Sequence, residues 1–180
     1  MFNETTIDGL YRIEGSVTTD KRGEFYRIFD AEEYKNIGLI NPIVQINYSI
    51  NHKKGTVRGM HYQYSAYSED KIVTCVKGKI FDVAIDLRKN SPTFLKWHGE
   101  ILDSSNKAGL FIPKGFAHGY QALCDNCEIL YLHSNYYNKR HEGGINPLDP
   151  SIKIQWPLNI SELSNRDQLF PMINSTFYGV

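Results

Sequence analysis

Residues 71–88 read KIVTCVKGKIFDVAIDLR, two apolar runs separated by Lys77-Gly78-Lys79. Side chains of an extended chain point alternately to its two faces. In the second run this alternation sets Phe81, Val83, Ile85 and Leu87 on one face and Ile80, Asp82, Ala84 and Asp86 on the other. Val, Ile and Phe are frequent here, and β-branched and aromatic types fit a pleated, packed surface. The stretch therefore predicts two strands around a glycine turn. Its surroundings repeat the pattern: AGLFIPKGFAHGYQAL at 108–123 reads as strand, Pro-Gly turn and strand, and EILYLHSNYY at 128–137 as one more. Helical spacing shows only around Ala31–Ile37 and Ser161–Leu169. Aromatic residues make up 13% of the chain, which suits a barrel or sandwich filled or lined by rings. No repeat, low-complexity tract or linker divides the sequence. The expectation is an all-β chain with a single domain over residues 1–180, a jelly-roll barrel with short peripheral helices.

Composition narrows the function. The 180 residues carry 20 Lys+Arg against 20 Asp+Glu, a formal net charge of zero, so nothing global favours nucleic acid or an anionic membrane. The stretch MFNETTIDGLYRIEG at the start has neither a basic nor an apolar signal region, and no segment reaches the roughly 20 apolar residues needed to span a bilayer. A cytoplasmic protein with no membrane or nucleic-acid partner is expected. The cysteines are Cys75, Cys124 and Cys127, with one C-x-x-C but no second ligand pair at zinc spacing. They read as reduced thiols.

Polar residues inside apolar strands mark a candidate site. His118 follows a Pro-x-Gly turn in PKGFAHGY, a spacing that resembles the second motif of the cupins, double-sheet jelly rolls with a site in the barrel mouth. Metal-binding cupins supply a His-x-His pair from an earlier strand, whereas here the matching place reads His61-Tyr62-Gln63. A catalytic metal usually draws three protein ligands, so no metal and no cofactor is expected. His61 sits near Arg58, Gln63 and Lys71, groups that are costly to bury without partners. Arg58 and His61 are three positions apart in GTVRGMHYQ, which in a regular strand sends them to opposite faces. A β-bulge at Gly59 would add one residue and bring both to one face.

Taken in order, DKRGEFYRIF, QINYS, VRGMHYQ, GKIFDVAIDLR, SPTF with Trp97, IPKGFAHGYQAL, Tyr136-Tyr137 before HEGGI, Asp149-Pro150, IQWP and LSNRD resemble the dTDP-4-dehydrorhamnose 3,5-epimerase family, from about Asp20 to Asp167. The resemblance implies a cupin-type jelly roll, a homodimer, and metal-free inversion at C3, C5 or both, the carbons alpha to the 4-keto group of a nucleotide-linked 6-deoxysugar. It implies His61 as base, Asp167 as the carboxylate that orients it, Lys71 beside the 4-keto oxygen and Tyr137 as the acid on the opposite face. Such a reaction needs those parts, because an alpha proton is far too weakly acidic to leave without a placed base and a stabilised enolate oxygen. Arg22, Arg58 and Arg166 are the candidate diphosphate partners, since planar guanidinium groups bind phosphate oxygens in pairs. Phe25, Arg27, Gln45, Asn47 and His118 complete the expected substrate groove, with Arg22 supplied by the partner of a dimer and His118 and Asp82 in supporting roles.

The chain departs from the family's pattern at three places. Arg27 stands where the family often has Glu, and an arginine only donates hydrogen bonds. That leaves the nucleotide open among dTDP, GDP and CDP. Lys139 and Asn146-Pro147 alter the segment after Tyr137, leaving open the carbon inverted and whether the sugar is a hexose or longer. The rival readings are a nucleotide-sugar 3,4-ketoisomerase, which would lack the Tyr137-type acid, and a non-catalytic cupin that binds a sugar nucleotide.

Overall fold

In the computed structural model, which describes residues 1–180, the strands fall into two facing sheets and one separate hairpin. The first sheet runs β1 (Phe2–Glu4), β2 (Tyr11–Glu14), β10 (Ala108–Ile112), β7 (Lys71–Lys77), β12 (Cys127–His133) and β5 (Gln45–Asn51). The second runs β13 (Glu142–Gly144), β6 (Thr56–Gln63), β11 (Phe116–Ala122), β8 (Lys79–Asp86) and β9 (Trp97–Asp103), with β14 (Glu162–Leu163) parallel to β6. The hairpin is β3 (Val17–Asp20) with β4 (Gly23–Tyr26), and α1 (Ala31–Lys35) and α2 (Asn165–Gln168) are the two short helices. This is the cupin-like jelly roll the sequence led us to expect, and no helix is long and apolar enough to cross a membrane.

The strands read from residues 71–88 are present, but they do not pair with each other. β7 pairs with β10 and β12, β8 with β9 and β11, so the chain changes sheet at Gly78. Gly78 has φ +81°, and a Cβ there would lie 2.6 Å from Cys124 Sγ. Only glycine makes this crossing without strain. β10 and β11 likewise belong to different sheets although only Pro113-Lys114-Gly115 separates them.

The alternation seen in the sequence fills three apolar layers. Between the sheets, Val73, Leu110, Ile112 and Ile129 meet Ile80, Ala84, Leu102, Phe116 and Tyr120. Val83, Ile85 and Leu87 face the other way, onto Met60, Ile145 and Ile152, so the chain after β13 covers the outside of the second sheet. Ile13, Ile72, Phe111 and Leu132 on the outside of the first sheet are covered by Tyr34 of α1 and by Leu39. Each buried Leu or Ile contributes roughly 1.5–3 kcal/mol relative to exposure. Asp30 caps α1 by accepting from the amides of Glu32 and Glu33. The interior between the sheets is apolar only in part, and toward the ends of β5, β6, β7, β11 and β12 it opens into a polar cavity of about 310 Å³.

Candidate active site

The irregularity expected at Gly59 is present. His118 of β11 is opposite His61 of β6 and Tyr120 is opposite Arg58, so Gly119 alone faces both Gly59 and Met60. The Gly59–Met60 peptide is cis, Gly59 has φ +123°, and a Cβ on it would meet Gly119 Cα at 2.5 Å. The extra residue brings Arg58 and His61 to the same cavity, with Arg58 on the exposed side where its Nε donates to Asn51 Oδ1 at 2.7 Å.

The bulge also serves Asp167, whose Oδ2 accepts from the Gly59 amide at 3.1 Å while Oδ1 lies 2.8 Å from His61 Nε2. Ser164 caps α2 by accepting from the Asp167 amide at 3.0 Å, which fixes the backbone carrying this carboxylate. Burial works against ionisation of Asp167, but the hydrogen bonds it accepts from His61 and from the Gly59 amide hold its pKa below the usual carboxylate value. A carboxylate can only accept, so the His61 proton is on Nε2 and the lone pair on Nδ1. Arg166 Nη2 stands 3.0 Å from the same nitrogen, but a guanidinium only donates, so with the Nε2 proton given to Asp167 this is a close approach of two donors and the hydrogen bond of the ring is the one to Asp167. Arg166 also holds both oxygens of Glu142 at 3.1 Å through Nη1.

Tyr137 lies on the same cavity, half exposed, and its hydroxyl donates to Glu142 Oε2 at 2.9 Å. Burial, the Glu142 hydrogen bond and the Glu142 charge raise its pKa, so the hydroxyl keeps its proton at neutral pH. Lys71 is buried on the cavity wall, with Nζ 3.1 Å from Glu69 Oε1. Burial opposes ionisation of Glu69, and the hydrogen bond from His133 with the Lys71 charge overcomes it to leave a lowered pKa. On the opposite wall His118 Nε2 lies 2.8 Å from Oδ1 of the fully buried Asp82, a second imidazole-carboxylate pair. Asn47 lines the cavity, and Gln45 bonds both Asn47 and the Tyr137 amide.

Thus His61, Lys71, Tyr137, Asp167, Arg58, Arg166, His118, Gln45 and Asn47 come together. Arg22, Phe25 and Arg27 do not: within one chain they lie on or just beyond the β3–β4 hairpin, away from this cavity. The two strands pair only with each other, Phe25 is 74% exposed, Arg22 pairs with Asp20 and Arg27 with Asp30. Sequence reasoning missed Glu69, His133 and Glu142. Glu142 was visible in HEGGI, but its place became apparent only through the register that sets it against Gln63. Cys124 and Cys127 bring their sulfurs to 3.2 Å as free thiols, and no three His, Cys, Asp or Glu side chains converge as a metal site.

The family model for dTDP-4-dehydrorhamnose 3,5-epimerase matches residues 4–175. The chain is similar to the dTDP-4-dehydrorhamnose 3,5-epimerase of Shigella flexneri, 43% identical over 165 residues and covering 91% of each chain. It superposes on the dTDP-6-deoxy-D-glucose-3,5-epimerase of Legionella pneumophila in complex with dTDP-4-keto-L-rhamnose, with a TM-score of 0.91, 40% identity and coverage of 96% of this chain and 92% of that one. A 3'-monoepimerase from Streptomyces bikiniensis in complex with dTDP-quinovose matches with a TM-score of 0.86, 31% identity and coverage of 93% and 85%.

Proposed function

This chain belongs to the dTDP-4-dehydrorhamnose 3,5-epimerase family and is an epimerase of nucleotide-linked 4-keto-6-deoxysugars; from that premise we propose that His61 is its base, Tyr137 its acid and Lys71 its enolate-stabilising cation. The observation that carries this reading is the His61–Asp167 pair, which leaves the Nδ1 lone pair free in a cavity shared with Lys71 and the Tyr137 hydroxyl. His61 Nδ1 takes the proton alpha to the ketone, and the electron pair of the broken C–H bond moves to the carbonyl oxygen. Asp167 stabilises the imidazolium, and the Lys71 ammonium stabilises the oxyanion. Tyr137 then gives its hydroxyl proton to the opposite face of the same carbon, and the electron pair returns from the oxygen. Exchange with water restores both side chains. The steps use side chains alone, so we propose that the reaction needs no metal or other cofactor.

Arg58 and Arg166 suit the diphosphate. We further propose a single functional domain over residues 1–180 that works as a homodimer, in which the exposed β3–β4 hairpin carries Arg22, Phe25 and Arg27 to the partner's cavity. That arrangement gives a purpose to a two-stranded element that pairs with no other strand and is tied to the sheets through Lys107, which bonds Glu24 and stands over the Tyr26 ring, since an isolated hairpin is marginally stable in water. Similar proteins hold dTDP-linked sugars, and dTDP is the first nucleotide to test, while Arg27 keeps GDP and CDP as comparisons. The decisive assay incubates the protein with dTDP-, GDP- and CDP-linked 4-keto-6-deoxyhexoses in D2O and locates deuterium by NMR. Deuterium at C3, C5 or both with inverted product supports the reading; exchange at neither carbon for any of them contradicts it.

A further inference from the structure

The register of three adjacent strands stacks three polar residues on one face. Lys71 of β7 is paired with His133 of β12, and His133 with Gln45 of β5. Directly opposite residues on one face have Cβ atoms about 4.5–5.5 Å apart, within reach of a continuous hydrogen-bond chain. The direction of that chain follows from the backbone donor at one end. The backbone amide of Tyr137 donates to Gln45 Oε1 at 3.1 Å. Gln45 therefore turns its NH2 the other way, and Nε2 donates to Asn47 Oδ1 at 3.1 Å. Asn47 in turn presents Nδ2 to His133 Nε2 at 3.2 Å. That ring nitrogen has to accept, so the His133 proton is on Nδ1, which donates to Glu69 Oε2 at 3.1 Å. The second oxygen of Glu69 accepts from Lys71 Nζ at 3.1 Å. Glu69, Lys71 and His133 have side chains only 7%, 9% and 10% exposed, so each depends on its partners in the chain.

We propose that Glu69 and His133 are positioning residues for epimerisation, holding the Lys71 ammonium and the Tyr137 backbone in register through this one-way relay. The proposal rests on the roles assigned above to Lys71 and Tyr137. It explains why a carboxylate stands beside the cation meant for the enolate: Glu69 holds the ammonium in place, and His133 fixes the orientation of Glu69. It also ties the side chain that stabilises the oxyanion to the segment that carries the acid.

The test begins with the intact, unliganded protein carrying 15N-labelled histidine, in which the His133 ring is assigned by the signals lost in His133→Gln. A neutral ring protonated at Nδ1 is expected; an imidazolium or an Nε2-protonated ring overturns the relay. Gln45→Glu then probes its connectivity without touching His133. A carboxylate cannot donate to Asn47, so Asn47 has to reverse and present its oxygen to His133, and the ring should gain a proton at Nε2. An unchanged His133 spectrum in that variant also overturns the relay. For the positioning role, Glu69→Gln should lower kcat by about a hundredfold, the usual cost of a displaced group, with KM little changed. If Glu69→Gln keeps the parent kcat while Lys71→Met loses activity, the positioning role is wrong and the site reading stands. If Lys71→Met keeps the parent kcat, the site reading itself falls and takes the positioning role with it.

Discussion

In the proposed reaction the choice between the two nitrogens of His61 decides the chemistry. Asp167 accepts at Nε2 and so leaves Nδ1 unprotonated, which makes the carboxylate a determinant of tautomer as well as of charge. Asp167→Asn tests this with almost no change of shape. The asparagine oxygen can still accept from the Gly59 amide, but its NH2 then faces Nε2 and drives the ring proton to Nδ1, the nitrogen meant to act as base. We expect kcat to fall by roughly a hundredfold or more with nucleotide binding retained, read by steady-state kinetics and by calorimetry with the nucleotide diphosphate. A variant with the parent kcat would remove Asp167 from the reaction. The residue scale is also where the sequence was least legible. Glu69 before a strand reads as a surface charge, and His133 at an inward position reads as a core residue. Only the register that sets Lys71, His133 and Gln45 side by side reveals what they form.

Within single elements the sequence was far more legible. Alternation over 80–87 marked β8 and its two faces, because a strand's periodicity is a local property, whereas the partner of β7 is set by contacts distant in the chain and could not be read. The bulge in β6 was legible for a different reason: two residues wanted on one face, three apart, leave few ways to place them. The turn after β8 offers a quantitative check. Asp86 is fully buried, bonds the side chains of Arg88, Ser91 and Thr93 and accepts from the Arg88 amide. Burial alone would raise its pKa, but these bonds, led by Arg88, bring it down to about 2. A carboxyl with a folded-state pKa below its unfolded value of about 3.9 stabilises the fold fully above that value and loses the contribution as pH falls toward the folded one. Asp86→Asn should therefore lower stability at pH 7 on the order of 1–2 kcal/mol once solvent screening is allowed for. Thermal unfolding of parent and variant should converge between about pH 4 and pH 2; a gap that is constant with pH would mean the carboxylate's charge is irrelevant there.

For the whole molecule, the hairpin and the cavity make separable contributions if the active unit is a dimer. Arg22→Ala and His61→Asn should each be poorly active alone, because one lacks the donated arginine and the other the base. Mixed and re-equilibrated, they form hybrids in which one cavity has both, so part of the activity should return; no recovery from a demonstrated mixed dimer would place Arg22 outside the partner's site. In the proposed reaction the cavity handles a proton on both faces of one carbon, with His61 on the first and Tyr137 on the second. The most direct test compares deuterium uptake from D2O with product formation in His61→Asn and Tyr137→Phe. His61→Asn should lose both, since no enolate forms. Tyr137→Phe should go on exchanging the alpha proton from the face His61 serves while inversion falls by roughly a hundredfold, the usual contribution of a placed acid. Inversion at the parent rate in Tyr137→Phe, or exchange at the parent rate in His61→Asn, would contradict the account.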